Sequence, residues 1–154
     1  MIIGVISDTH GLVRPEVVQA LQGVELIIHA GDIGKPDVLD LLEEFAPVIA
    51  VRGNIDKENW TKELPVTEVV EIENKYIYVL HDLSKLDLEP KAASFHVVIS
   101  GHSHKPKEER RDGVIYLNPG SAGPRRFNLP VSLALMEIED EEIDVRFINL
   151  SKEY

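Results

Sequence analysis

The 154-residue chain contains no cysteine, which excludes disulfide staples and thiolate chemistry and leaves nitrogen and oxygen to hold any metal. No apolar run exceeds the length of a strand, so no membrane-spanning segment is expected. The opening Met1-Ile2-Ile3-Gly4-Val5-Ile6 lacks the basic start and long apolar stretch of a secretory leader, and it reads as a strand. A cytoplasmic location is the expectation. Positive charge is scarce as well: 16 Lys and Arg stand against 27 Asp and Glu, a net charge of −11. Broad contact with a nucleic-acid backbone needs clustered cations, so nucleic acid is not an expected partner. A small phosphorylated molecule stays compatible, provided that something supplies a local positive centre, and bound metal ions are one means.

What is present is the composition of a water-soluble globular protein, 44% apolar and 28% charged, long enough for one domain over residues 1–154 with a core of its own. Residues 1–7 read as a strand, followed by a turn at Asp8-Thr9-His10-Gly11 and a helix from Pro15 whose Val17, Val18 and Leu21 share a face. Residues 26–30 form a second apolar run ending at Gly31-Asp32, and a helix from Pro36 carries Val38, Leu41, Leu42 and Phe45. Residues 47–51 make a third strand, stopping at Arg52-Gly53-Asn54. Alternating strands and helices with uniformly apolar strands indicate a parallel sheet covered on both faces.

Further on, residues 66–72 and 76–80 predict a hairpin around Glu73-Asn74-Lys75, ending at His81. Residues 86–95 predict a short helix, before the strand Val97-Val98-Ile99-Ser100 that stops at Gly101-His102-Ser103-His104. Asp112-Gly113 joins residues 107–111 to 114–117 as a second hairpin, which leads into Asn118-Pro119-Gly120-Ser121. Residues 131–138 and 143–148 form a last hairpin across the acidic turn at residues 139–142. Its second arm alternates Ile143, Val145 and Phe147 with Asp144 and Arg146, one face buried and one wet.

Five apolar strands thus end in a residue able to bind a metal: Asp8 with His10, Asp32, Asn54, His81, and His102 with His104. Parallel strands align their C-terminal ends along one rim, where ligands bind, so these seven side chains are expected to meet. Seven donors with one carboxylate shared suit two metals at about four ligands each, with positions open for water and substrate. Four imidazoles favour Mn, Fe, Zn, Ni or Co over Mg or Ca, with manganese the first choice. Two divalent ions outweigh two carboxylates and a bridging hydroxide, leaving a net positive site for a phosphate.

Asp-x-His, Gly-Asp, Gly-Asn, a lone His and Gly-His-x-His, in this order over nearly the whole chain, resemble the calcineurin-like metallophosphoesterase superfamily. The small size, the Asn-Pro-Gly-Ser run and a Gly-Asn without a following His are similar to its small prokaryotic phosphodiesterase branch, related to the retromer scaffold subunit. The resemblance implies an α/β fold of four layers, an α-β-β-α sandwich of two mixed sheets flanked by helices. It implies one metal held by Asp8, His10, Asp32 and His104 and another by Asp32, Asn54, His81 and His102, with Asp32 bridging. A hydroxide between ions about 3.5–4 Å apart would attack phosphorus in line. Asp32, Asn54 and His104 are the expected catalytic set.

Two positions depart from the superfamily pattern. Where larger members have a His that assists the leaving oxygen, this chain has Ile55, which cannot donate a proton. Such an acid contributes about 10²- to 10⁴-fold, so acidic leaving groups such as those of aryl diesters should be favoured over alkyl ones. Asp82 stands where the pattern has Gly, and its side chain should crowd the rim beside His81.

Simpler readings exist for each residue alone. Asp8 could cap the next helix, and Gly31-Asp32 and Gly53-Asn54 could be ordinary turns. Only their joint placement at strand ends favours a metal centre. His29 reads as a buried or supporting histidine, His96 as a strand-start or surface residue, and Trp60 as packing under the connection after Asn54. The Asn118 to Ser121 run is a turn whose backbone the resemblance brings near the metals, with Arg125 or Arg126 touching substrate. The leading functional reading is a metal-dependent phosphodiesterase acting on a small phosphoester, with no membrane partner and a homo-oligomer left open. The alternatives are a weakly catalytic or non-catalytic interaction scaffold on the same fold, and a phosphomonoesterase or nucleotidase.

Overall fold

A computed structural model describes residues 1–126 and 128–151. Ten strands form two five-stranded mixed sheets. The first has the order β10-β9-β1-β2-β3, with β1 at Ile2–Ile6, β2 at Leu26–His29, β3 at Val48–Ala50, β9 at Ser132–Glu139 and β10 at Glu142–Asn149. The second has the order β4-β5-β6-β8-β7, with β4 at Thr67–Ile72, β5 at Lys75–Leu80, β6 at Val97–Ile99, β7 at Lys107–Arg111 and β8 at Val114–Asn118.

Each sheet carries a parallel trio at its centre or flank. In the first, β1 pairs with β2 and β2 with β3, all parallel. In the second, β5 pairs with β6 and β6 with β8, again parallel. Antiparallel β9 closes one side of the first trio, and β4 and β7 flank the second. The rim expected from the sequence is therefore built by both sheets.

Alternation along the strands divides the core into layers. Ile3, Val5 and Ile28 join Ile77, Val79, Val97, Ile99 and Leu117 in the apolar layer between the sheets. Ile6 and Ile27 face the other way, onto Val17, Leu21, Val38 and Leu42 from the helical segments. The helices are short: α1 spans Pro15–Ala20 and α2 spans Pro36–Glu43, each opened by proline in its first turn, where the missing N–H costs nothing. Gly4 lets the first of them dock, because any Cβ there would run into Leu21. Trp60 lies partly buried against this helical layer, in a 3₁₀ turn at Asn59–Thr61, in the packing role expected of it.

The outer face of the second sheet is covered differently. Residues 86–95 do not form the expected helix. Pro90 has no N–H to give to a helical ladder, and Ser94 turns left-handed at φ 67°, so the segment stays a series of turns. Its apolar side chains keep the packing that a helix would have had, with Leu86, Leu88 and Phe95 set against Tyr78, Leu80 and Val98. The fourth layer of the sandwich is thus a coil with a 3₁₀ turn at Leu83–Lys85.

The hairpins follow the sequence closely, with tighter turns. Glu73 and Asn74, Asp112 and Gly113, and Asp140 and Glu141 all take positive φ, the two-residue geometry whose twist matches the flanking strands. Lys75, Glu139 and Glu142 enter the ladders. Along β10, Ile143 and Val145 are partly buried as expected, whereas Phe147 is 36% exposed and the alternation lapses.

Because the inter-sheet layer holds the two trios in register, truncation there should be costly. Ile28→Ala is expected to lower unfolding free energy by about 2–5 kcal/mol in a urea titration, the range for emptying a fully buried aliphatic site.

Candidate metal centre

The six strands of the two parallel trios end along one edge of the sandwich. Asp8 and His10 follow β1, Asp32 follows β2, Asn54 follows β3, His81 follows β5, His102 and His104 follow β6, and Asn118 closes β8. The loops are stitched to one another by backbone hydrogen bonds: Asp8 N–H to Gly31 O at 3.0 Å, His10 N–H to Asp32 O at 3.0 Å, and Gly101 N–H to His81 O at 2.9 Å.

All seven side chains expected to converge do so. His104 Nε2 lies 3.3 Å from Asp8 Oδ1, and His10 Nε2 lies 3.9 Å from that oxygen and 3.7 Å from Asp32 Oδ2. His81 Nε2 lies 3.3 Å from Asp32 Oδ2 and 3.9 Å from Asp8 Oδ1. The Asn54 amide lies 3.0 Å from His81 Nε2 and 3.2 Å from His102 Nδ1. Ligand atoms of Asp8, His10 and His104, and separately of Asp8, Asp32 and His81, fall within 4.8 Å of one another. Asp8 belongs to both of these groups, and Asp32 Oδ2 spans His10 and His81, so both carboxylates lie between the two halves.

The backbone is bent to achieve this. Asp8, His10, Asp32, His102 and His104 all have φ between 48° and 73°. Outside hairpin turns, Ser94 is the one other non-glycine residue in that region among the described residues. Asp and His tolerate this conformation better than most side chains, but five together are costly and signal a built site. The glycines beside them are needed for room: a Cβ on Gly53 would strike the Asp32 carboxylate, and one on Gly101 would strike Ser7 Oγ and Asp8 Oδ2.

Hydrogen bonds fix which lone pairs stay free. Asp8 is fully buried, and its Oδ2 accepts from Ser7 Oγ at 2.6 Å and from the His102 N–H at 3.1 Å. Its Oδ1, like His10 Nε2, is buried with no hydrogen-bond partner. His81 Nδ1–H donates to Ala30 O at 2.8 Å, which leaves its Nε2 lone pair facing the carboxylates, the tautomer a metal ligand requires. Asp32 Oδ1 accepts from the Ile55 N–H at 3.1 Å, leaving Oδ2 free. The Asn54 amide can turn either its nitrogen toward Asp32 and the imidazoles or its oxygen toward a cation.

Titration reflects the same crowding. Burial works against the charged form of Asp32, yet the adjoining His81, the hydrogen bond from the Ile55 N–H and the nearby His10 hold its carboxyl below the usual range. Burial likewise opposes charge on His81, but Asp32 and Asp8 outweigh it and raise the imidazole. His104 is pushed down by burial, against the pull of Asp8 and with help from the Arg126 charge. Two carboxylates that raise a buried imidazole make a negative pocket, and a negative pocket attracts cations.

The supporting residues behave as follows. His29 is fully buried; its Nδ1 accepts from Gly31 N–H at 3.0 Å and its Nε2–H bonds Thr9 Oγ1 at 3.0 Å. Both nitrogens are used and burial pushes it down to about 3, so it is a neutral brace, as the sequence suggested. His96 accepts from the Tyr76 N–H near the surface, away from the centre. Asn118 donates to Gly101 O at 3.0 Å and to Ser103 Oγ at 3.1 Å, and Ser121 Oγ donates to Asp8 O at 3.1 Å, so this run props the ligand loops. Arg125 and Arg126 are exposed. Asp82 turns its Oδ1 onto Ser84 N at 3.0 Å and Ser84 Oγ at 2.8 Å, with Oδ2 4.0 Å from His102 Nε2.

Asp56 was not legible as a functional residue. Buried beneath the centre, its carboxylate accepts from the N–H groups of Ile33 at 3.1 Å, Gly34 at 3.2 Å and Gly53 at 2.9 Å. It ties the loop of Asp32 to that of Asn54. The only signal in the sequence is an acid three residues after a glycine, a spacing at which Asp bonds back to the main chain.

Against this geometry, comparison with known proteins is consistent. Residues 1–141 match the family model of the calcineurin-like phosphoesterase superfamily domain, and the chain belongs to that family. It is 38% identical over 160 residues to a probable metallophosphoesterase of Methanothermobacter thermautotrophicus, covering 96% of this chain and 92% of that protein. It is 30% identical over 161 residues to a phosphodiesterase of Methanocaldococcus jannaschii, covering 92% of this chain and 96% of that one. Its structure superposes on zinc-complexed wild-type Vps29 of Entamoeba histolytica with a TM-score of 0.76 and 25% identity, covering 98% of this chain and all of that one (100%). The family implies divalent metal ions, and the paired orphan atoms of Asp8 and His10 fit them.

Asp56→Asn would set an amide N–H₂ against backbone donors and loosen both loops. Calorimetric titration with manganese is expected to show affinity reduced by about 10- to 100-fold, as for other partners that orient metal ligands.

Proposed function

We propose that this phosphoesterase is a metal-dependent phosphodiesterase of a small substrate, with a dinuclear centre on Asp8, His10, Asp32, Asn54, His81, His102 and His104. The observation that carries the reading is the convergence of potential ligand atoms, two of them buried without a hydrogen-bond partner. Asp8 Oδ1 and His10 Nε2 are sealed from solvent and lack any hydrogen bond. Leaving such atoms unpaired costs about 1–3 kcal/mol each, a cost that a cation between them removes.

Bound divalent ions would supply water in its hydroxide form at neutral pH and neutralise charge on the phosphoryl oxygens. The chain does the rest. His10 and His104 on one side, and His81 and His102 on the other, present nitrogen donors in two pairs whose ring centres stand 5.5 Å and 5.2 Å apart. This nitrogen-rich set suits manganese, with nickel, iron, zinc and cobalt as competitors. Asp32 and Asp8 set the spacing between the halves, and Asn54 orients the rim next to Ile55. Ile55 is 42% exposed and offers no proton to a departing oxygen.

Among the described residues no helix is long and apolar enough to cross a membrane. The acidic surface disfavours a long polyanion as substrate. A purely scaffolding role on this fold would leave the sealed Asp8 and His10 atoms without purpose.

The test is hydrolysis of aryl diesters, alkyl diesters and monoesters after manganese or nickel loading. Aryl diesters are expected to turn over fastest. Asp32→Asn should lower that rate by more than about 100-fold, beyond what loss of an outer partner of a ligand costs; an unchanged rate would remove Asp32 from the mechanism. Ile55→His should raise alkyl-diester turnover relative to aryl by about tenfold or more, recovering part of what a general acid contributes. An unchanged ratio would show that proton delivery to the leaving oxygen is not what Ile55 withholds.

A further inference from the structure

Beside the metal centre the outer face of the second sheet opens a cavity of about 300 Å³, bounded by His102 at one end. Its walls include Lys105, Lys107, Arg111, Glu109 and Tyr116. In a chain of net charge −11, three cations on one wall next to the site are unexpected. Charged residues on an edge strand such as β7 ordinarily keep it from pairing with another sheet. Here Lys107, Glu109 and Arg111 alternate onto one face, turned to the cavity, while Arg110 reaches Ile143 O at 3.3 Å on the other strand system.

The cations are pre-arranged. Glu109 holds Lys107 Nζ at 3.0 Å and Arg111 Nε at 3.0 Å, and the Arg111 guanidinium lies 4.4 Å from the centre of the Tyr116 ring. That face of Tyr116 is therefore covered and not free to stack on a substrate ring. Lys105, directly after His104, has no ion-pair partner among the described residues and stands at the same cavity. Asp82 is the other carboxylate there, and both its oxygens face Ser84 or His102. The wall keeps a positive balance with one uncommitted cation.

Two features of the rim stand out: Ile55, 42% exposed directly after Asn54, has no proton to give, and the cavity beside His102 carries a positive balance. From these we infer that the substrate is a phosphoanhydride, cleaved so that a phosphate or phosphate monoester departs into the cavity lined by Lys105, Lys107 and Arg111. This rests on the metallophosphoesterase reading of the same centre. The oxygen of one water forms a bond to the attacked phosphorus, and the bond from that phosphorus to the bridging oxygen breaks. The electron pair stays on the bridging oxygen, which leaves as a terminal oxygen of the second phosphate. Protons of the water pass to solvent, and nothing is oxidised or reduced. A departing phosphate has a pKa near 6, so it leaves as an anion without an acid, unlike an alkoxide.

The test uses the manganese-loaded protein, dialysed free of excess metal, and two non-hydrolysable probes followed by calorimetry: methylenediphosphonate and methylphosphonate. The bisphosphonate is expected to bind about tenfold tighter or more, since it adds charge-assisted contacts in the cavity. In Lys105→Ala the ratio of the two affinities should fall by about fivefold, and Lys105→Arg should restore most of it. Equal affinities in the wild type, or a loss in Lys105→Ala shared by both probes, would overturn the inference. Manganese content and aryl-diester hydrolysis are measured on the same preparation. If both are absent, the phosphodiesterase reading falls and this inference with it; if both are present and the ratio does not respond, this inference alone falls.

Discussion

The constraint on which the structure turns is electrostatic: the buried carboxylates of Asp8 and Asp32 are held against the imidazoles of His10, His81 and His104. Such an arrangement is unfavourable in a low-dielectric interior unless it is enforced, and the means of enforcement are visible. The Asp8 carboxylate is pinned by Ser7 Oγ and the His102 N–H, and His81 is fixed through its Nδ1–H on Ala30 O. Asp32 is held by the Ile55 N–H. Each anchoring bond uses the side of the ligand turned away from the centre. What is left over points inward.

The two sheets supply the leverage. Strands β1, β2 and β3 from one sheet and β5, β6 and β8 from the other are each packed into the apolar layer between them. Their ends are placed by that packing, and five of the candidate ligand residues adopt left-handed backbone just beyond it. Strain of this kind survives only where the surroundings over-determine it. The stitching of the Asp8 loop to the Asp32 loop, and of the His81 loop to Gly101, provides the over-determination. Stability in the layer and chemistry at the rim are thus one design: loosening the former displaces donors in the latter.

Much of this was legible in the chain because the strands leading to these residues are short and largely apolar, and those before Asp32, Asn54 and His102 are followed by a glycine directly next to the candidate ligand. Gly53 and Gly101 mark their sites for a reason the structure makes plain, since a side chain at either would collide with Asp32 or Asp8. His29 could be set aside correctly, being embedded within an apolar run. Residues 86–95 misled because their apolar spacing serves the packing of turns around Pro90 as well as it would serve a helix. Asp56 escaped notice because its partners are main-chain N–H groups of loops far apart in sequence, which no side-chain motif announces. The cationic cavity wall was invisible for a similar reason: it exists only once β7 lies beside β8 in register, with Glu109 opposite Tyr116.

The most direct measurement is anomalous diffraction from crystals soaked in manganese. Two peaks about 3.5–4 Å apart, one beside Asp8, His10 and His104 and one beside Asp32, His81 and His102, are predicted for ions that share a bridging oxygen. Peaks remote from these side chains, or none at millimolar manganese, would contradict the proposed centre.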